Sequence, residues 1–162
     1  MSERLWNVYL SGEIHSDWRE QIAAGVAEAG LPVQLDGPIT VHEDSDDCAA
    51  VILGEEENPF WRDQKSSRMN AIRTRTLIGE ADIVVVRFGD KYKQWNAAFD
   101  AGTAAALGTA MITLHDPSLT HALKEVDAAA LAVCETPQQV VQTLAYVIRG
   151  ALPGRSKSLA AE

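Results

Sequence analysis

Along the chain, short runs of β-branched and aromatic residues alternate with longer stretches whose apolar positions recur every three or four residues. That change of period predicts strands alternating with helices. Residues 5–11, LWNVYLS, read as the first strand, and Gly12 lets the chain turn at its end. Ser16 or Asp17 is placed to cap a helix in which Trp18, Ile22, Val26 and Ala29 share a face, and Gly30 stops it. Residues 31–35, LPVQL, form a second strand, which Pro32 assigns to a sheet edge. The pattern fails over 36–63, where acidic clusters surround an apolar knot at 49–53; the expectation is a long loop with one short helix, either a binding lid or a surface excursion. Helical spacing returns at 64–80, with Met69, Ile72, Thr76 or Leu77, and Glu80 among Arg68, Arg73 and Arg75.

The run at 83–88, IVVVRF, has the near-continuous apolar character of a strand covered on both faces. A polar hinge, GDKYKQWN, separates it from an alanine-rich helix ending at Gly108, after which 110–114 form the next strand. Pro117 or Ser118 opens another helix, 131–134 are a short last strand, and Pro137 starts a final helix closed by Gly150 and Pro153. The alternation implies a parallel sheet with helices on both faces, because right-handed crossovers put them there. The expected fold is α/β, a flavodoxin-like three-layer sandwich with five parallel strands in the order 2-1-3-4-5, as one domain over residues 1–152 with a disordered tail at 153–162. In that order the switch point lies between strands one and three, so residues 12–15 and 89–91 face each other across the crevice where ligands bind.

Composition narrows the function. A net charge of −9 and a pI near 4.9 argue against nucleic acid as a partner, since neutralising phosphates takes a basic face. No apolar run approaches the roughly 20 residues of a membrane helix, and the N-terminus lacks the basic-then-apolar pattern of a secretory signal, so the expected location is cytoplasmic, with no membrane partner. Cys48 and Cys134 stand apart from other metal-ligand residues and read as free thiols. His42 lies near Asp44, Asp46 and Asp47, but the spacing and the closing Glu of a calcium loop are missing, so no metal or other cofactor is expected.

Three clusters carry candidate chemistry. GEIHSDW places Glu13 and His15 past the first strand at a helix opening: the carboxylate suits a nucleophile or general base, the imidazole an acid, and the helix N-terminus favours anions. With them go Gly12 at the turn and Trp18 at the start of the helix. In the hinge, Gly89, Asp90, Lys91, Lys93, Gln94, Trp95 and Asn96 combine charge for a phosphate with a face for stacking a base, while Asp100 is placed to accept from sugar hydroxyls. Arg73 and Arg75 form a third cluster, suited to a planar carboxylate or phosphate but also ordinary for an exposed helix.

On the strings VYLSGEIHSDWRE, LDGP, RTRTLIGEADIVVVRFGDKYKQWNAAFDAG and GTAMITL, the sequence resembles the YtoQ family over nearly its whole length to about residue 152. More distantly, YLSG, EADIVVV and DAGTAAALG are similar to the nucleoside 2-deoxyribosyltransferase superfamily. The resemblance implies a Rossmann-like sheet, a nucleoside or nucleotide pocket, N-glycosidic bond chemistry and a homo-oligomer. Residue by residue, the sugar-binding Asp of the superfamily matches Asp100, its catalytic Glu falls on Ala106, and its base-binding Asp falls on Thr74. Because Ala106 offers no carboxylate, Glu13 is the substitute at hand. Three functions follow as expectations: an N-glycosidic hydrolase or transferase using Glu13, His15 and Asp100; a non-catalytic nucleotide-binding or sensing module; or a partner-binding protein using the acidic segment 43–47.

Overall fold

The apolar run Ile83–Phe88 (β3) lies at the centre of a five-stranded parallel sheet, in the order β2-β1-β3-β4-β5, with β1 at Trp6–Gly12, β2 at Val33–Asp36, β4 at Ala110–His115 and β5 at Ala132–Cys134. The computed structural model describes residues 4–91 and 94–155. The expected strand order is therefore met, and β2, with Pro32 just before it, is an edge. Register places Val8 beside Ile83 and Gly12 beside Arg87, which sets the ends of β1 and β3 side by side.

Alternation along the strands builds two apolar layers. Val8, Leu10, Ile83, Val85, Ile112 and Leu114 point to one face, where α1 (Trp18–Glu28) supplies Trp18, Ile22 and Val26, and α6 (Pro137–Arg149) supplies Val140 and Leu144. Tyr9, Val84, Val86, Phe88 and Met111 point to the other face, against Ile78 of α3 (Pro59–Glu80) and Ala97, Ala101 and Ala104 of α4 (Trp95–Leu107). The alanine stripe on α4 lets its backbone approach the sheet closely. Beyond β4, a 3-10 turn at Pro117–Leu119, capped by Asp116, stands where a helix was expected, and α5 spans only Lys124–Ala129.

The largest departure from expectation is at 36–63. The one helix expected there is α2 (His42–Leu53), twelve residues long and packed on α3 rather than carried by a loop, and the first turn of α3 begins at Pro59, five residues earlier than the spacing indicates. Asn58 caps α3, its Oδ1 accepting from the N–H groups of Phe60 and Trp61, and Pro59 is pre-set for the first turn. The two helices are held by small and polar groups: Ala49 and Ala50 are buried, Ser66 Oγ donates to the Asp46 carbonyl at 2.5 Å, Asn70 Nδ2 donates to the Ser45 carbonyl at 2.9 Å, and Arg62 pairs with Asp47 at 2.6 Å. Such a seam has no apolar stripe, which is why the periodicity missed it.

At 22 residues, α3 is about 33 Å long, against about 20 Å for the six residues of β3. Since α3 runs into the N-terminal edge of β3, its first turns overhang the opposite, C-terminal edge. With α2 they form an arm above the strand ends.

Candidate active site

Under this arm lies a cavity of about 790 Å³. Its floor is the end of β1, from Gly12 to His15; α3 forms one wall from Asp63 to Ile78, and α4 with its N-terminal flank forms the other from Gln94 to Thr103. It sits at the switch point between β1 and β3, where an open α/β sheet binds ligands.

The floor depends on Gly12. Its φ is +114°, and a Cβ there would stand 2.1 Å from the Arg87 carbonyl oxygen, so no other residue type fits. The turn aims Glu13 inward. Glu13 is 7% exposed, its Oε2 accepts from the His15 N–H at 2.6 Å, its Oε1 accepts from the Ser16 hydroxyl, and Arg87 Nε lies 3.9 Å away. Burial opposes ionisation, yet those donors and the Arg87 charge outweigh it and hold the carboxyl below its ordinary range. Arg19 ties the turn down: Nε donates to the Leu10 carbonyl at 3.1 Å, Nη1 to that of Glu13 at 2.7 Å, and Nη2 to that of Gly12 at 3.1 Å. Its guanidinium also stacks 4.4 Å from the Trp18 ring centroid.

On the α4 wall, Asp100 Oδ2 accepts from the Ser11 hydroxyl at 2.6 Å. Burial pushes the Asp100 carboxyl up, with the Ser11 hydrogen bond pulling the other way. Trp95 and Phe99, one turn apart, both line the cavity and are 71% and 65% exposed.

Of the expected site residues, the structure gathers Gly12, Glu13, His15, Arg75, Gln94, Trp95, Asn96 and Asp100 around the cavity. Others stand elsewhere. Trp18 is 2% exposed in the core, where its Nε1 donates to the Glu13 carbonyl at 2.9 Å, so it supports the floor from below. Arg73 is not on the cavity wall and donates to the Gly37 carbonyl at 3.3 Å. Gly89 makes room: a Cβ there would stand 2.9 Å from Glu13 Cγ. Asp90 and Lys91 are off the cavity lining, and Lys93 lies outside the described residues. The expected capping role of Ser16 or Asp17 is not taken either, since Ser16 serves Glu13 and Asp17 Oδ1 accepts from Gln21 Nε2 at 2.8 Å.

Sequence reasoning passed over Ser11, Ser16, Arg19 and Arg87. The signal for Ser11 was present, because alternation puts it on the Tyr9 face, toward α4. Arg87 followed from register, being the partner of Gly12. Thr74 lines the cavity, whereas Ala106 is exposed and outside it.

A parallel sheet in this order with a cavity at its switch point belongs to the flavodoxin-like class of α/β proteins, and solved structures share this fold. One is a 2-deoxyribosyltransferase of Bacillus psychrosaccharolyticus, with a TM-score of 0.52 and 16% identity over 85% of this chain and 95% of that one. Another is a conserved protein of Enterococcus faecalis V583, with a TM-score of 0.61 and 13% identity over 87% and 98% of the two chains. Within that class, residues 9–148 match the family model described as nucleoside 2-deoxyribosyltransferase YtoQ, and the chain belongs to that family. It is 42% identical over 140 residues to the YtoQ protein of Bacillus subtilis strain 168, covering 86% of this chain and 95% of the relative.

Proposed function

We propose that the cavity binds a nucleoside and that the protein acts on its N-glycosidic bond, as a hydrolase or a transferase, through Glu13, His15 and Asp100. One observation carries this reading: two carboxyl groups face one cavity in opposite environments, Glu13 held ionised and Asp100 pushed toward its protonated form. Cleavage of such a bond passes through an oxocarbenium-like state that needs negative charge near the anomeric carbon and a proton for the departing base. A Glu13 oxygen attacks the anomeric carbon, the carbon–nitrogen bond breaks, and the base leaves with its electron pair and a proton from His15. Water, giving a proton back to His15, then frees the sugar, or a second base takes its place. A carboxylate offers about four lone-pair sites, so the hydrogen bonds from His15 and Ser16 leave room on Glu13 for this step. Asp100, oriented by Ser11, holds a sugar hydroxyl, and Trp95 and Phe99 present faces to the base.

The second reading, a module that binds the nucleoside without cleaving it, draws support from Ala106, the position of the superfamily's catalytic Glu. Release of free base from a panel of nucleosides separates the two. Glu13→Gln keeps the shape of the carboxylate and loses its charge, so it should abolish base release and leave binding nearly intact. Undiminished release by that variant would assign the chemistry to another residue, whereas no release by the unmodified protein from any nucleoside would establish the binding module.

A further inference from the structure

Most arginines of this chain have partners within the fold: Arg4 and Arg62 pair with carboxylates, and Arg19, Arg73 and Arg149 donate to carbonyl oxygens, while Arg87, with its Nε buried and without a hydrogen bond, lies 3.9 Å from Glu13. Arg68 and Arg75 differ. Neither makes a hydrogen bond or ion pair with a described residue, and both line the cavity from α3. In a chain with 23 acidic residues against 14 basic ones, two open guanidinium groups on one wall are a selective arrangement. Seven residues apart, they lie on one side of the helix, about 10 Å from each other along its axis. Between them are the small side chain of Ala71 and the hydroxyl of Thr74, both on the cavity.

We infer that Arg68 and Arg75 recognise the phosphate of a nucleoside phosphomonoester, so that the ligand is a nucleotide rather than a bare nucleoside. The inference rests on the reading of the cavity as a nucleoside site and names the substrate class within it. Guanidinium forks match phosphate oxygens in bidentate fashion, and a hydrogen bond between charged groups is stronger than a neutral one. The rest of the cavity discourages an anion, since Glu13, Asp46 and Asp63 also line it. The phosphate is therefore directed to α3, which leaves the base to Trp95 and Phe99 on α4 and the sugar to the floor.

Calorimetry at low salt tests this with common nucleosides, each against its own 5′-monophosphate, and with inorganic phosphate and 2-deoxyribose 5-phosphate alone. At least one monophosphate should bind about tenfold or more tightly than its nucleoside. In the Arg68→Ala/Arg75→Ala variant, whose melting temperature without ligand reports that it is folded, that ratio should fall to near one. A nucleoside that binds as tightly as its monophosphate, or a preference that survives in the variant, would overturn the inference and leave the nucleoside site standing. Sugar phosphate or inorganic phosphate binding as tightly as any nucleotide would overturn it as well. Binding of neither nucleosides nor nucleotides would remove the nucleoside site itself.

Discussion

At the β1–α1 corner of the cavity the polar groups are committed to one another, while on the cavity side of α3 two arginines stand open. The Glu13 carboxylate accepts two hydrogen bonds and its carbonyl accepts two more, from Trp18 and Arg19. On the arm, Arg68 and Arg75 have no partner among the described residues, and the hairpin tip exposes Val51, Ile52, Leu53, Phe60 and Trp61. The difference matches two tasks. A group that stabilises charge at a reacting bond acts best when its environment is fixed beforehand, since no reorganisation is then needed during the reaction. A group that captures a ligand's charge can remain solvated until the ligand arrives, and exposed loops and arms carry that role in many folds.

Breaking the corner should give the largest effect. Gly12→Ala adds a Cβ against the Arg87 backbone at a φ of +114°, so backbone strain and overpacking together should cost about 4 kcal/mol, read as a lower urea midpoint with an unchanged slope. A loss below about 1 kcal/mol would mean that the turn can relax, and that the corner is less rigid than its hydrogen bonds imply. The charge within the corner sharpens the contrast. Because the fold lowers the Glu13 pKa, its ionised form contributes stability that is complete above the ordinary value of 4.5 and drains away as pH falls through the lowered one. The stability margin of the unmodified protein over Glu13→Gln should then be widest near neutral pH and close in acid. An equal margin between about pH 7 and about pH 3 would show that shape alone, without charge, holds the corner. The smallest effect belongs to the arm tip, where Val51→Ser and Ile52→Ser, at 82% and 66% exposure, should each move the unfolding free energy by no more than about 0.5 kcal/mol. A shift of about 2 kcal/mol there would reveal a covered tip and erase the contrast in stability between the two regions.

Read alone, the sequence determined the sheet, because β-branched runs and 3.6-residue spacing are local signals that the chain obeys wherever it packs. The five strands, their order, the last helix's limits at Pro137 and Gly150, and the placement of Glu13, Trp95 and Asp100 near one crevice all followed from it. Only the tertiary structure decided the rest. The α2–α3 hairpin was hidden because alanines, serines and an asparagine hold it, and these leave no periodic apolar trace. Trp18 read as a ligand contact because it neighbours the motif, yet a helix places residues one turn apart on the same face, and that face turned inward toward Ile22 and Val26. Gly89 read as a ligand contact and proved to be space for Glu13, a role visible only when residues 76 apart in sequence meet at the ends of neighbouring strands. Which charges remain open, Arg68 and Arg75 rather than Arg62, is likewise a tertiary fact, since pairing depends on what each guanidinium reaches in space rather than on what precedes it along the chain.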